Sequence, residues 1–257
     1  MTASILKHVD ALLIDLDGTV YQYDQLLPGA GETLVWLRAR GVPLRFVTNS
    51  TMRSRASLAA RLRSFGVQAE EGDILNPVSV AAHYLRTRGA SAHLLVLDDA
   101  LSEFEGIHQD ADNPAFVVVG DLGDAWSFPK LNHAFRLLLE KNVGFIALGK
   151  SRYWRAADGL RLDSGPFVTA LEFATGRYAL VMGKPERAFF EQAIGMLGLA
   201  PERIAMIGDD IDVDVAGARN AGMLGALVKT GKFRPEDLAK GIWPDYVFNS
   251  LADVRDL

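Results

Sequence analysis

Short apolar runs alternate along most of the chain with segments in which apolar residues recur at helical spacing. The segment 28–41, for example, places Leu34 and Leu37 on one face and ends at Gly41, which predicts an amphipathic helix. The apolar runs predict buried strands, and in chain order they read LLI, LRFV, AHLLVL, AFVVVG, GFIALG, YALVMG, RIAMIG, LGALV and DYVF. Because strands and helices alternate, the pattern predicts parallel α/β layers.

Polar residues follow four of the predicted strands at the point where each strand ends. In parallel α/β sheets, ligands bind at the carboxyl ends of the strands. The residues at these ends supply carboxylates, one ammonium and one hydroxyl: Asp15, Asp17, Thr48, Asn49, Gly183, Lys184, Asp209 and Asp210, with Asp214 a turn further on. We therefore expect one site at this edge of the sheet.

The pair Asp15 and Asp17 is unusual at the end of an apolar strand. Two carboxylates two residues apart on an extended segment point to the same side and repel each other. Oxygen ligands without a His or Cys partner are typical of Mg²⁺, which takes one or two carboxylates together with water and phosphate oxygens. We interpret the pair as half of a metal site that Asp15 shares with Asp209.

Composition narrows the class of protein further. The chain has 257 residues, a net charge of −5 and no Lys/Arg-rich run. We therefore expect no basic surface of the kind that binds nucleic acid. It has no cysteine, and this excludes disulfides, thiolate metal sites and a cysteine nucleophile. No apolar run approaches the roughly 20 residues that a membrane span needs, and the first residues do not resemble a signal peptide. We predict a cytoplasmic protein with no membrane partner.

Four motifs in this order resemble those of the haloacid-dehalogenase superfamily of phosphotransferases: DLDGT, TN, GKP and GDDIDVD. The long sequence between the second and third motifs is similar to the large cap insert of the p-nitrophenyl-phosphatase-like group. Within that insert, SEFEGI, KSRYWRAADGL and GPFVTALEFATG resemble the branch that contains phospholysine phosphohistidine inorganic pyrophosphate phosphatase. The resemblance implies a Rossmann-like, doubly wound parallel-sheet core over residues 1–78 and 181–257, with an inserted α/β cap domain over residues 79–180.

The resemblance also implies a role for each motif residue. Asp15 would attack phosphorus in line and form an aspartyl-phosphate, and Asp17 would serve as general acid and then as general base. Lys184 would balance the negative charge of nucleophile and phosphate. Thr48 and the main-chain N–H of Asn49 would bind phosphoryl oxygens.

The implied cofactor is Mg²⁺. The Asp15 carboxylate, the Asp17 main-chain carbonyl and Asp209 would hold it, and Asp214 would reach it directly or through a water molecule. The implied activity is hydrolysis of a small phosphorylated metabolite, with pyrophosphate and phosphorus–nitrogen bonds included. The oligomeric state stays open, and pairing of two copies through the cap is the arrangement that the resemblance suggests.

Other interpretations of the same residues stay open. A metal-independent haloacid dehalogenase would use Asp15 without Asp17 or Asp209, and a phospho-accepting signalling module also gathers acids, a Thr and a Lys at strand ends. Phosphotransfer and mutase chemistry are further variants. Asp17-Gly18 could form only a turn, and Thr48-Asn49 could cap a helix. Asp210 and Asp212 could act only as helix N-terminal acids.

Two features are interpreted as structural. The segment 144–151, GFIALGKS, matches the phosphate-binding pattern G-x-x-x-x-G-K-[ST], but its intervening residues are apolar and predict a strand, with no helix beginning at Lys150. The histidines show no ligand spacing, and these are His8, His83, His93, His108 and His133.

Overall fold

The computed structural model describes residues 5–140, 142–156 and 158–255. Its strands are β1 Ala11–Asp15, β2 Tyr21–Gln22, β3 Gln25–Leu26, β4 Leu44–Val47, β5 Ile74–Leu75, β6 Ala92–Leu95, β7 Phe116–Val119, β8 Gly144–Ala147, β9 Tyr153–Ala156, β10 Gly159–Leu162, β11 Leu180–Val181, β12 Ile204–Gly208, β13 Leu224–Val228 and β14 Tyr246–Phe248. Its α-helices are α1 Ala30–Ala39, α2 Arg55–Ser64, α3 Pro77–Arg88, α4 Asp98–Leu101, α5 Phe128–Leu139, α6 Ser164–Thr175, α7 Arg187–Leu197 and α8 Ala216–Asn220. A π-helical turn covers Ile211–Val215.

The chain forms two compact units. The first comprises the described residues of Met1–Thr48, Leu58–Leu75 and Lys184–Leu257, and the second comprises Asn49–Ser57 and Asn76–Gly183. Two residues within the second unit lie outside the described residues. They are Lys141, in the segment FPKLNHAFRLLLEKN whose sequence predicts a helix over 128–142, and Ala157, in the segment KSRYWRAADGL.

The first unit is built around a six-stranded sheet in the order β14-β13-β12-β1-β4-β5. Every neighbouring pair in it is parallel. All five residues of β1 are buried, which is why its sequence reads as an unbroken apolar run instead of an alternating one. The strand order runs outward from β1 in both directions, so the predicted doubly wound parallel sheet is confirmed.

The register of this sheet brings the predicted site residues to one edge. Asp15 at the end of β1 pairs with Val47 of β4, and Ile14 pairs with Ile207 of β12. Thr48 and Asp209 therefore follow their strands on either side of Asp15. This is the point at which the strand order reverses, and the crevice at such a point is where open α/β sheets bind ligands.

The second unit is the inserted α/β cap domain of the predicted fold. It has a four-stranded sheet in the order β11-β8-β7-β6, whose pairs are all parallel, and the hairpin β9–β10. Its core consists of side chains from β7, β8, α5 and α6, including Val117, Leu138, Phe145 and Val168. GFIALGKS contains β8, and a hairpin strand instead of a helix follows Lys150, so the structural interpretation of this motif is confirmed.

Two sequence-based expectations are corrected. YALVMG was expected to be a strand beside the other site strands, but only Leu180–Val181 is extended, and it pairs with β8 of the second unit. Lys184 therefore follows a strand of the inserted sheet and leads into α7. The segment VDVAGARNAG, residues 213–222, is expected to form one helix, but it begins within a π-helical turn and continues as the short α8.

The segment Asn49–Ser57 belongs to the second unit, whereas the sequence analysis placed it in the core. Its contacts give the physical reason. Arg55 forms an ion pair with buried Glu103, with 3.0 Å between Nη2 and Oε2, and its main-chain N–H donates to Oε1 at 2.6 Å. The hydroxyls of Ser54 and Ser57 both donate to Asp99 Oδ1, at 2.8 and 2.7 Å. Polar contacts of this kind between distant segments leave no periodic signal in a sequence.

Candidate active site

Three buried carboxylates meet at the carboxyl edge of the first unit's sheet. Asp15 ends β1, Asp209 follows β12 and Asp214 lies in the π-helical turn. One oxygen of each lies within 4.8 Å of the others, and within residues 5–140, 142–156 and 158–255 this is the one cluster of three or more metal-ligating side chains. Their exposed fractions are 6%, 2% and 1%, so water does not solvate the three charges.

Lys184 bridges two members of this cluster. Its Nζ lies 2.6 Å from Asp15 Oδ1 and 2.7 Å from Asp214 Oδ1, and its side chain is buried. Burial alone lowers the pKa of Lys184, but the attraction of Asp15 and Asp214 outweighs it and holds the pKa above its usual value. Lys184 is therefore a charged ammonium, and its buried positive charge offsets part of the negative charge that the three ionised carboxylates carry.

The pKa values of the three carboxyls reflect this excess of negative charge. Burial raises the pKa of Asp15 and Asp214, although Lys184 opposes the rise in both. Burial, together with the repulsion of the neighbouring Asp15 and Asp214, raises the pKa of Asp209 to about 8. A divalent cation would favour the ionised forms of all three. The donor set, which is carboxylate oxygen without His or Cys, fits Mg²⁺.

Hydrogen bonds fix the orientation of Asp209 and Asp214. Asp209 Oδ2 accepts the main-chain N–H of Lys232 at 2.6 Å, while Asp214 Oδ2 accepts that of Asp210 at 3.2 Å. Asp214 thus uses one oxygen for Lys184 and the other for the backbone. A Cβ on Gly208 would lie only 2.2 Å from Asp214 Oδ2, so the glycine at the end of β12 is what admits this carboxylate.

Asp210 and Asp212 have structural contacts. Asp210 caps the π-helical turn, where its Oδ1 accepts the N–H groups of Asp212 and Val213, each at 3.1 Å. Asp212 is exposed and pairs with Lys240 at 2.5 Å. These contacts support the interpretation of both residues as N-terminal acids of a helical turn.

Asp17 and Thr48 lie next to the cluster along the chain, and their predicted roles stay predictions. Asp17 has an exposed side chain, and the Tyr21 hydroxyl donates to its Oδ2 over a long 3.5 Å. Thr48 is buried directly after β4, and its N–H donates to the Leu75 carbonyl at 3.1 Å. Asn49 is the first residue of the second unit, and its Oδ1 would lie 2.9 Å from a Cβ placed on Gly183 of that unit.

A fifth strand end reaches the site and was not among the predicted site residues. Thr230, Gly231 and Lys232 follow β13, and all three contact the site loops: the Thr230 hydroxyl donates to the Gly18 carbonyl, and Gly231 packs against Asp209. The signal was available, since KTGK follows the apolar run LGALV as DLDG follows LLI. Applying the strand-end rule to every predicted strand would have found it.

Among the described residues, three histidines have ring contacts: His8 meets Tyr246 in the first unit, with centroids 6.4 Å apart, and the other two meet each other in the second unit. The rings of His93 and His133 meet edge to face with centroids 4.8 Å apart, and His133 Nε2 lies 2.7 Å from the Ala111 carbonyl oxygen. In the part of the chain that the structure describes, no helix has the length and apolarity for a membrane crossing.

Comparisons with known proteins converge on one family. The family model described as haloacid dehalogenase-like hydrolase matches residues 12–109, and a second model, described as HAD-hydrolase-like, matches residues 181–254. The chain is 44% identical to haloacid dehalogenase-like hydrolase domain-containing protein 2 of Mus musculus, over 94% of this chain and 92% of the relative. It is 40% identical to phospholysine phosphohistidine inorganic pyrophosphate phosphatase of Bos taurus, over 98% of this chain and 95% of the relative.

A solved structure extends the likeness to the fold. The 4-nitrophenylphosphatase of Thermotoga maritima superposes with a TM-score of 0.91 and 30% identity, covering 98% of each chain. The similarity therefore covers both the parallel-sheet core and the inserted α/β domain.

Proposed function

This chain belongs to the haloacid dehalogenase-like hydrolase family and is a phosphatase of that family, and from this premise we propose that it hydrolyses small phosphorylated metabolites with Mg²⁺ through an aspartyl-phosphate. The observation that carries the proposal is the buried cluster of Asp15, Asp209 and Asp214 with Lys184 bridging two of its members. Phosphoryl transfer depends mainly on positioning and on neutralising charge, which is what such a cluster provides.

Asp15 is the nucleophile in this proposal. Its Oδ1 is held by Lys184 at 2.6 Å, while its Oδ2 has only a long contact of 3.4 Å with the Thr19 hydroxyl. Oδ2 therefore forms the bond to phosphorus as the bond to the leaving oxygen breaks, and Asp17 donates a proton to that oxygen. Asp17 then takes a proton from water, which attacks phosphorus, releases orthophosphate and restores the Asp15 carboxylate.

Asp15, Asp209 and the main-chain carbonyl of Asp17 would hold the Mg²⁺. Bound there, the ion supplies positive charge that reduces the repulsion between the nucleophile and an anionic phosphate. We assign Asp214 to the orientation of Lys184 and to contact with the ion through water, because both of its carboxylate oxygens already accept hydrogen bonds. Thr48 and the Asn49 N–H bind phosphoryl oxygens in the proposal.

The proposed substrates are phosphomonoesters, with pyrophosphate and phosphoramidates as further candidates because the name of the Bos taurus relative includes such substrates. A metal-independent dehalogenase would leave Asp209 and Asp214 without a role, so the three-carboxylate cluster disfavours that alternative. The cytoplasmic location stays a prediction.

Pairing of two copies through the inserted domain is a further part of the proposal. Phe173 and Tyr178 are 91% and 88% exposed, and Leu160 and Leu162 of the β9–β10 hairpin are exposed as well. Exposed apolar side chains are typical of protein–protein contact where they form one contiguous patch, which is what the proposal requires of these four. Sedimentation of the wild type and of Phe173→Ser would test it, and a monomeric wild type would contradict it.

The function is tested with a panel of phosphorylated metabolites, pyrophosphate and a phosphoramidate, each with Mg²⁺ and with a chelator. We expect turnover only with the metal, and a labelled, acid-stable phosphoprotein in rapid-quench experiments. Asp15→Asn should abolish both, because an amide is a poor nucleophile. Asp212→Asn is the matched control, since Asp212 pairs with Lys240 outside the cluster. Turnover retained by Asp15→Asn would remove Asp15 as the nucleophile.

A further inference from the structure

The loop that follows β13, residues 230–232, contacts two separate parts of the proposed metal site. The Thr230 hydroxyl donates to the Gly18 carbonyl, one residue after Asp17. The Lys232 main-chain N–H donates to Asp209 Oδ2 at 2.6 Å. The loop therefore joins the β1 loop, which carries Asp15 and Asp17, to the loop after β12, which carries Asp209.

The packing between these loops leaves no room for a side chain. A Cβ on Gly18 would lie 2.1 Å from Asp209 Oδ2, and a Cβ on Gly231 would lie 1.9 Å from the same oxygen. The Cβ on Gly231 would also lie 2.6 Å from the Gly18 Cα. The Asp209 carboxylate is thus confined between two glycine backbones, and its Oδ2 is committed to Lys232. Its Oδ1 is the oxygen left for a cation.

The hydrogen bonds around Gly18 fix both of its peptide planes. Its N–H donates to the Tyr21 carbonyl at 2.7 Å. Because a peptide is planar, this bond turns the Asp17 carbonyl in the opposite direction. Thr230 holds the next peptide through the Gly18 carbonyl. Gly18 has a φ of 86°, a conformation in which an unrestrained glycine is soft, so the Thr230 bond removes a freedom that would otherwise let the Asp17 carbonyl turn.

We propose that Thr230 is a positioning residue for divalent-cation binding: its hydroxyl holds Gly18, and the 230–232 loop thereby fixes the Asp17 carbonyl and the Asp209 carboxylate relative to each other. The inference rests on the magnesium dependence of the proposed function. Groups that orient metal ligands usually change metal affinity by about 10–100-fold when they are removed.

The test is calorimetric titration of Mg²⁺ into substrate-free protein, for the wild type, Thr230→Val and Thr230→Ser. Valine keeps the shape of threonine and removes the hydroxyl, so we expect its Mg²⁺ dissociation constant to rise about tenfold or more. Serine restores the donor and should return the constant to within about threefold of the wild type. The KM for a phosphomonoester at saturating Mg²⁺ should change little in either variant.

Thr33→Val is the matched control. The Thr33 hydroxyl donates to the Gly29 carbonyl at 2.7 Å within the same unit, at α1. This variant loses an equivalent hydroxyl–carbonyl bond, so it should lose stability without losing Mg²⁺ affinity. Thermal unfolding in a chelator shows whether Thr230→Val and Thr33→Val are comparably folded.

The inference is overturned if Thr230→Val binds Mg²⁺ as the wild type does, or if Thr33→Val weakens binding equally. A failure of the proposed function gives a different result. A wild type that binds no Mg²⁺ removes the metal dependence itself. A wild type that binds Mg²⁺ without hydrolysing any phosphorylated compound contradicts the function, while the calorimetric comparison still decides the role of Thr230.

Discussion

Both units bury carboxylates, but they neutralise them differently. In the inserted domain, Glu172 accepts Lys150 Nζ at 2.8 and 3.1 Å and the Ala179 N–H at 3.0 Å. Glu103 is likewise matched by the Arg55 guanidinium. In the core, Asp15 and Asp214 share the buried ammonium of Lys184, and the exposed ammonium of Lys232 adds a further attraction to all three carboxylates of the cluster.

The balance of charge around a buried carboxylate distinguishes a functional site from a structural ion pair. In a one-to-one ion pair the two charges neutralise each other, so a charged ligand would gain little electrostatic free energy by binding there. A cluster with surplus negative charge is costly to bury, so it indicates that a cation completes it. Burial alone does not distinguish the two regions, because Glu172 and Asp15 are 8% and 6% exposed.

The largest difference in kcat is expected between the variants Lys184→Met and Lys150→Met. Removing Lys184 leaves the nucleophile and Asp214 without their shared ammonium, and we expect kcat to fall about 10²–10³-fold. Removing Lys150 breaks a pair that serves only Glu172, so kcat should stay within about threefold of the wild type while the melting temperature falls. Steady-state kinetics and thermal unfolding of both variants measure the contrast. Equal losses of kcat would show that the two lysines do not differ in the way proposed.

A smaller effect concerns stability and pH in the metal-free protein. The pKa of Asp209 is about 8 in the folded state, well above the value near 4 of an unfolded aspartate. Between these values the folded state binds more protons than the unfolded state, so the free energy of unfolding falls as the pH rises from about 4 through about 8, and the loss is complete about one pH unit above the folded-state pKa. Unfolding in a chelator should show this slope, and Mg²⁺ should reduce it. Asp209→Asn should flatten it, and a slope unchanged in that variant would place the titration elsewhere.

Much of the core could be predicted from the sequence, because β1, β4 and β12 are apolar runs that end in polar residues. The same rule placed Asp15, Thr48 and Asp209 at one edge, and the register of the sheet agrees. The rule also placed Lys184 at the site, where its Nζ contacts Asp15 and Asp214. It assigned the preceding strand to the wrong sheet, since a strand of only two residues gives no sign of the sheet to which it belongs. The roles of the individual site residues stay predictions.

The contacts that could not be predicted from the sequence join polar groups of segments that are far apart along the chain. Thr230 reaches Gly18, and Arg55 reaches Glu103, through hydrogen bonds that depend on tertiary position alone. Hydrophobic periodicity carries no information about such pairs. This explains why the sequence pattern grouped Asn49–Ser57 with the core, whereas the structure groups it with the second unit. The 230–232 loop is a different case, because its strand end was visible in the sequence and only its contacts were not.

The smallest effect on activity is expected for Glu172→Gln. This variant tests whether a neutralised ion pair of the inserted domain affects the active site. Glutamine keeps the shape but loses the charge that Lys150 pairs with, and it retains one acceptor for the Ala179 N–H. We expect a loss of about 1–3 kcal/mol in the free energy of unfolding, with kcat and Mg²⁺ affinity unchanged. Denaturant unfolding, kinetics and calorimetry on the same preparation measure all three. If Mg²⁺ affinity fell with stability, the balanced pair would be coupled to the metal site, and surplus charge would no longer separate the two kinds of buried acid.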